Sequence, residues 1–293
     1  MRKTKTLMMG IASALLLAIV CCPAAQARKK SHRTHKKLAQ KTLVVYYSQT
    51  SNTRTVAKEI ARKLGADIEE IAPVTPYDGD YKATIERSKK EREQGILPEI
   101  KPIKADIKKY DVIFLGYPIW YGTFAPPMEA FLSQVDLSGK IVVPFCTFGS
   151  GGLETSKMIL EAKQKGAKIL DGYGVRAARM AAMPNEVDQF LKANGFLKGK
   201  YVKLGEFSAP HHVSDEESAI YDAAIGDYPM MKNTRALTVA SRAIPDGTEY
   251  LFTANVKQDR PVDPNVAMRP PKEMQVYVIV INGKAPEFTK VVR

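Results

Sequence analysis

Histidine is scarce in this chain and badly placed for catalysis. His32, His35, His211 and His212 are the only four, and none lies between residues 36 and 210. A Ser-His-Asp or Cys-His site wholly inside that stretch is excluded. Cysteine is scarcer still: Cys21 and Cys22 lie close to the N-terminus, leaving Cys146 alone in the body without an intrachain disulfide partner. Residues 1–41 lack any acidic residue yet hold ten Lys/Arg, so the formal charge of +13 belongs largely to that segment. Residues 42–293 carry 34 basic and 31 acidic side chains, a net +3. Charge-driven nucleic-acid binding is thereby confined to residues 28–41. The composition also excludes a collagen, a coiled coil and a disulfide scaffold. With 293 residues, 45% hydrophobic and 26% charged, two globular domains are expected.

The N-terminus reads as a targeting segment. Arg2, Lys3 and Lys5 precede an apolar run from Leu7 to Val20, and Ala25-Gln26-Ala27 follows as a small-x-small cleavage signal. Residues 1–27 are expected to be a secretory signal peptide without a twin-arginine pair, placing the protein outside the cytoplasm, in a periplasm. The run is shorter than the ~20 residues a spanning helix needs; an uncleaved anchor, or a lipoprotein through Cys21, is the alternative. Arg28, Lys29, Lys30, Arg33, Lys36, Lys37 and Lys41 follow, a basic flank that by itself favours the cytoplasmic side. Residues 28–41 have little to bury and are expected to be disordered, either a solvated linker or a contact to an anionic surface.

From Thr42 the pattern changes. Short continuous apolar runs at Leu43 to Tyr47, Val112 to Leu115 and Ile141 to Cys146 have the signature of strands buried on both faces. Asp67 to Ile71 and Ala167 to Leu170 are weaker strands. Helical stretches lie between them: Val56, Ile60 and Leu64 share one face, Tyr81 to Gln94 is a polar helix, and Glu154 to Lys165 and Val187 to Leu191 follow. This alternation predicts an α/β domain at 42–199, a doubly wound parallel five-stranded sheet. After a linker at 200–213, Ser214-Asp215-Glu216-Glu217 is a capping box. Strands at Ala236 to Ile244, Glu249 to Val256 and Met274 to Ile281 follow, with hairpin signals at Asp246-Gly247 and Asn282-Gly283. A Pro-rich loop with Pro261, Pro264, Pro270 and Pro271 separates the second from the third. Residues 214–293 are therefore expected to form a smaller α+β domain, a helix on an antiparallel sheet.

Chemistry concentrates in three loops at strand ends, where open α/β sheets bind ligands. Ser48, Thr50, Ser51, Asn52 and Thr53 supply hydroxyl and amide groups at a helix start, suited to a phosphate or to ordinary N-capping. Trp120, the single tryptophan, sits with Tyr117, Pro118, Tyr121 and Gly122 just past a strand; it suits a flat heteroaromatic ring or a core position. Thr147 to Gly152 carries three glycines, which let backbone amides approach a ligand.

Ser48-Gln49-Thr50-Ser51-Asn52-Thr53 resembles the Ser/Thr-x-Thr-Gly-Asn-Thr phosphate loop of the flavodoxin-like FMN proteins, with Ser51 where glycine is usual. Gly116 to Gly122 and Thr147 to Gly152 resemble that family's two flavin-ring loops. The resemblance covers about residues 42–195. It implies that Ser48, Thr50, Asn52 and Thr53 bind the FMN phosphate and that Trp120 stacks on the isoalloxazine, with Phe148 and Gly149 near its other edge. It further implies electron or hydride transfer through FMN to a small acceptor such as a quinone, with no catalytic side chain and no metal required; the electron donor is unspecified. The C-terminal segment is similar, on fewer residues, to a cystatin-type fold, although Ala243-Ile244-Pro245-Asp246-Gly247 departs from the inhibitory Gln-x-Val-x-Gly. A non-catalytic protein that binds a partner through the C-terminal domain, the flavodoxin-like part being a scaffold, is the alternative.

Overall fold

A computed structural model describes residues 40–78, 80–226, 228–256 and 273–292. The expected signal segment, all but the last two residues of the basic tail, and the Pro-rich loop lie outside the described residues. Lys41, read as the end of a disordered tail, is held: its N–H donates to the Asp111 carboxylate at 2.9 Å and its ammonium lies 3.6 Å from Asp67. Among the described residues no helix is long and apolar enough to cross a membrane.

The first part alternates strands and helices as the pattern requires. Its elements are β1 (Thr42–Tyr46), α1 (Asn52–Leu64), β2 (Asp67–Glu70), α2 (Tyr81–Glu93), β3 (Val112–Trp120), β4 (Thr123–Phe124), α3 (Pro126–Gln134), β5 (Ile141–Phe148), α4 (Glu154–Lys163), β6 (Lys168–Ile169), β7 (Tyr173–Arg176) and α5 (Met183–Ala193). The sheet order is β2-β1-β3-β5-β6; β7 pairs with β5 in parallel, and β4 folds back antiparallel on β3. The fifth strand position is thus two pieces rather than the single run Ala167 to Leu170, because Asp171-Gly172 interrupts the apolar sequence. Helix α3 had no counterpart in the sequence reading. It begins with Pro126 and Pro127, and proline suits a first helical turn, where its missing N–H has no partner to lose.

Both sheet faces are covered. Val56, Ala57 and Ile60 of α1 and Val187 and Leu191 of α5 pack on one side, against Val44, Phe114, Val143 and Phe145. Met128 and Phe131 of α3 and Leu160 of α4 pack on the other, against Val45, Ile113, Leu115 and Val142. Burial on two faces is why β1, β3 and β5 are apolar without alternation.

The second part contains β8 (His211–His212), α6 (Asp215–Ile225), β9 (Thr234–Ile244), β10 (Gly247–Val256), β11 (Glu273–Ile281) and β12 (Glu287–Val292). The antiparallel sheet runs β12-β11-β10-β9-β8 with α6 against it, the expected helix on an antiparallel sheet. The capping box at the start of α6 is complete: Ser214 Oγ accepts from the Glu217 N–H, and the Glu217 carboxylate accepts from the Ser214 N–H. Three details differ from the sequence reading. His211 and His212, placed in the linker, add an edge strand to β9. The turn between β9 and β10 is Pro245-Asp246, with Asp246 at φ 61, and Gly247 already pairs with Ile244. Strand β12 follows the Asn282-Gly283 turn where no element was assigned; Pro286 and Lys290 mask its alternation. The described residues of 40–293 form one compact unit.

Candidate functional site

Strands β1, β3 and β5 are sheet neighbours pointing the same way, so the segments after them meet at one edge. The chain leaves β1 toward β2 on one side and returns to β3 on the other, making this edge the topological switch point where open α/β sheets bind ligands.

The loop after β1 is shaped around the start of α1. Ser51 precedes the helix at φ 68, the left-handed region, and makes no side-chain cap bond. This explains why the family pattern has glycine there, since a side chain at such a φ costs about 1–2 kcal/mol. Ser48 caps instead, its Oγ accepting from the Arg54 N–H at 3.2 Å. Simple N-capping therefore uses one hydroxyl of the five-residue set. Thr50 is exposed and Asn52 half-buried, and among the described residues the N–H groups of Asn52 and Thr53 have no hydrogen-bond partner in the chain. Such N–H groups at a positive dipole end, ringed by hydroxyls, form the donor set a phosphate requires.

Thr53 is buried, and its Oγ1 lies 2.8 Å from Thr147 Oγ1. That bond ties the first loop to the third. One of the two hydroxyls donates to the other, which leaves the second hydrogen free to serve a ligand.

Trp120 is not in a loop. It is the last residue of β3 and pairs with Thr123 across a two-residue turn of Tyr121 (φ 51) and Gly122 (φ 80). The glycines at 116 and 122 suggested a loop, but positive φ at two successive residues is what a tight hairpin needs. Trp120 is half-buried and edge-on to Tyr47 and Tyr77, with ring centroids 5.9 and 5.3 Å away. Pro118 is also half-buried, while Tyr121 and Gly122 are exposed; the Tyr121 hydroxyl donates to the Ile85 carbonyl of α2 at 3.1 Å. Thr147 and Phe148 close β5 and are buried, and Gly149 is exposed just beyond them. The Phe148 ring is buried in the core beneath the site. Gly149 is the part of that pair that reaches the surface.

Several residues of this edge were missed. Arg54 places Nη1 3.3 Å from Ser51 Oγ and Nη2 2.6 Å from Glu70, bringing a cation to the rim of the phosphate loop. Gln49 braces the aromatic group: it accepts from the Tyr47 hydroxyl at 2.6 Å and donates to the Tyr77 carbonyl at 2.7 Å. Burial pushes the phenols of Tyr47 and Tyr77 up, and Tyr77 is held further by its hydrogen bond to Glu91. Tyr77 lies in an irregular segment, residues 74–78, without periodic pattern, so no sequence signal could have found it. A recess of about 310 Å³ opens beside this group, lined by Ser48, Gln49, Glu70, Tyr77 and Lys101 among others. Cys146 is fully buried, which raises its thiol well above the usual range; it is a packing residue rather than a redox centre. Among the described residues no cluster of three His, Cys, Asp or Glu could hold a metal.

The family profile described as Flavodoxin matches residues 41–189. The chain belongs to the flavodoxin family. FMN is the cofactor, and the residues present fit it: an anion-binding loop, a half-buried tryptophan and a glycine-rich loop share one sheet edge. Flavodoxin 1 of Escherichia coli strain K12 is 26% identical over 121 residues, covering 39% of this chain and 51% of that protein. An NAD(P)H dehydrogenase (quinone) of Azorhizobium caulinodans is 31% identical over 131 residues, covering 40% of this chain and 61% of its own. The chain thus spans about half the length of the flavodoxins it matches. Among solved structures, a flavoprotein in complex with FMN from Lactobacillus acidophilus is 23% identical with a TM-score of 0.44, covering 51% of this chain and 97% of that one. Oxidised flavodoxin 1 of Bacillus cereus is 21% identical with a TM-score of 0.32, covering 52% and 97%.

Proposed function

We propose that this flavodoxin-family protein is an exported FMN-dependent oxidoreductase whose acceptor is a small molecule such as a quinone. Bound FMN supplies the electron or hydride transfer; the chain's own residues hold, orient and shield it. The observation that carries the reading is the meeting of the chain ends of β1, β3 and β5 at the switch point, with the start of α1 tied to the end of β5 by the buried Thr53–Thr147 bond. In this reading Ser48, Thr50, Asn52 and Thr53, with the amides of α1, hold the phosphate. Trp120, fixed edge-on by Tyr47 and Tyr77, offers its face to the ring, and Gly149 supplies backbone at the other side.

The acceptor class draws on two supports. Residues 42–293 have a net charge of only +3, not the acidic docking face expected of a simple electron carrier, and the Azorhizobium relative is named for a quinone reaction. Export rests on residues 1–27 and predicts a mature chain beginning at Arg28. N-terminal sequencing of the cell-derived protein checks this, and an intact Met1 in the soluble cytosolic fraction overturns it.

Quenching of Trp120 fluorescence on titration with FMN and with riboflavin tests the site. Charge-assisted hydrogen bonds contribute about 1.5–3 kcal/mol each. Two of them lost with the phosphate should make riboflavin bind at least roughly a hundredfold more weakly. Equal affinities would return the loop to plain helix capping, and no binding of either flavin would leave the first part a scaffold.

A further inference from the structure

We propose that the C-terminal domain forms the outer wall of the cofactor site. Tyr228 and Met230 flank the third loop, and Arg176 is the positioning residue that fastens them there. This inference rests on the FMN reading above and adds to it a role for the second domain.

Among the described residues, the hydrogen bonds and ion pairs between residues 40–199 and residues 209–292 all fall on one patch. Val291 donates its N–H to the Gly151 carbonyl at 3.2 Å. The Lys290 ammonium lies 2.5 Å from Glu154, at the first turn of α4, and Glu287 lies 3.1 Å from Arg179. Arg176, the last residue of β7, makes the central contact. Its Nε donates to the Gly149 carbonyl and its Nη1 to the Phe288 carbonyl, both at 2.8 Å. The same guanidinium lies 3.5 Å over the Phe288 ring and 5.6 Å from the centre of Tyr228. One planar fork thus joins the glycine-rich loop to β12, a role a lysine's point charge cannot copy.

The residues set against the loop are Tyr228 and Met230. The Tyr228 hydroxyl is 3.6 Å from where a side chain on Gly149 would begin, and Met230 Sδ is 3.9 Å from Ser150 Oγ. Both come from the segment joining α6 to β9, and its anchor is internal to the C-terminal domain. Met231 is fully buried, and its carbonyl accepts from the Thr234 hydroxyl, which also meets Tyr221 Oη at 2.6 Å. The second domain could have packed on the outer faces of α1 to α5. It docks instead on the loop that reaches the surface at Gly149, the residue assigned above to the far side of the ring. A wall there favours a small, flat reaction partner over a protein, and a thioether beside a phenol makes an adaptable apolar lining.

The test uses the full chain and two readouts other than turnover, the FMN dissociation constant and the FMN dissociation rate after dilution. Arg176→Ala should raise the dissociation constant at least tenfold, mainly through faster dissociation. Arg176→Lys should not restore it. The double variant Tyr228→Ala/Met230→Ala leaves the packed Met231 in place. Its apo melting temperature should fall by a few degrees at most, because Tyr228 packs on Phe288, while FMN dissociates at least threefold faster. If wild type binds FMN and the double variant matches it in both readouts, the wall is overturned and the cofactor reading stands. If wild type binds no FMN, the cofactor reading fails and the wall with it.

Discussion

The two halves of this molecule bury sheets in different ways. In the first part β1, β3 and β5 are apolar along nearly their whole length because helices cover both faces. In the second, β10 and β11 alternate: Phe252 and Ala254 on one strand and Met274, Val276 and Val278 on the other turn toward α6, and their neighbours do not. The doubly covered sheet leaves its strand ends as the place where loops converge, and the proposed cofactor site is there. The singly covered sheet has no comparable convergence, and its role follows from what it docks against. The first part also buries more ionisable groups, so the halves should respond differently to pH and to core damage.

The largest difference is expected in alkali. Burial raises the phenols of Tyr47, Tyr77, Tyr117 and Tyr173, the last further by Glu186, and raises the Cys146 thiol. In the second part burial pushes Tyr221 up to about 12. A raised pKa means that the folded state keeps a proton the unfolded chain releases near pH 10. The stabilisation is complete below that pH and is lost as pH climbs toward the folded value. Each such group costs about 1.4 kcal/mol per pH unit in this window, so the four phenols of the first part lose of order 5–6 kcal/mol per unit and Tyr221 about a quarter of that. Trp120 fluorescence reports the first part alone, which holds five of the six described α-helices. Between pH 10 and 12 that signal and the helical ellipticity should collapse first, leaving a strand spectrum. Simultaneous loss would mean the halves unfold as one.

Core damage should reverse the order. Phe252 is fully buried, with Tyr221 edge-on at 5.3 Å. Phe252→Ala should cost about 3–5 kcal/mol, most of it in the second domain. Calorimetry at neutral pH should then resolve a low-temperature transition for the C-terminal domain, while the transition seen by Trp120 shifts by only a few degrees. A single shifted peak would show that the contacts of Arg176, Lys290 and Val291 weld both parts into one cooperative unit.

Legibility in the sequence followed the same division. Strands β1, β3 and β5 were readable because two-faced burial writes continuous apolar runs, and α6 because its capping box is local chemistry. The shape of the loop after β1 was readable because a left-handed residue before a helix demands particular residues at fixed spacing. Hidden features depended on tertiary contacts. Arg176 looks like any surface cation until β12 lies against it, and Tyr77 sits in a loop whose position contacts with Gln49, Arg87, Glu91 and Trp120 define. Trp120 was misplaced by one strand end because glycines at 116 and 122 suggest a loop equally well as a hairpin turn.

The smallest effect concerns two residues that share a backbone shape. Ser51 (φ 68) and Asp246 (φ 61) are both non-glycine residues in the left-handed region, one at the cofactor loop and one at a hairpin remote from it. Ser51→Gly removes strain of about 1–2 kcal/mol but gives the unfolded chain extra freedom worth about 0.4–1 kcal/mol. It also removes an exposed 3.3 Å bond to Arg54. The net should be a gain of about 0.5 kcal/mol, a rise in melting temperature of roughly 1–2 °C. Asp246→Gly should gain less, because aspartate tolerates this conformation better. FMN affinity decides what Ser51 contributes at the site. If it supplies only backbone shape, Ser51→Gly leaves the dissociation constant within twofold, as Asp246→Gly must. A tenfold weakening confined to Ser51→Gly would show that the hydroxyl itself contacts the cofactor and that its benefit offsets the backbone strain.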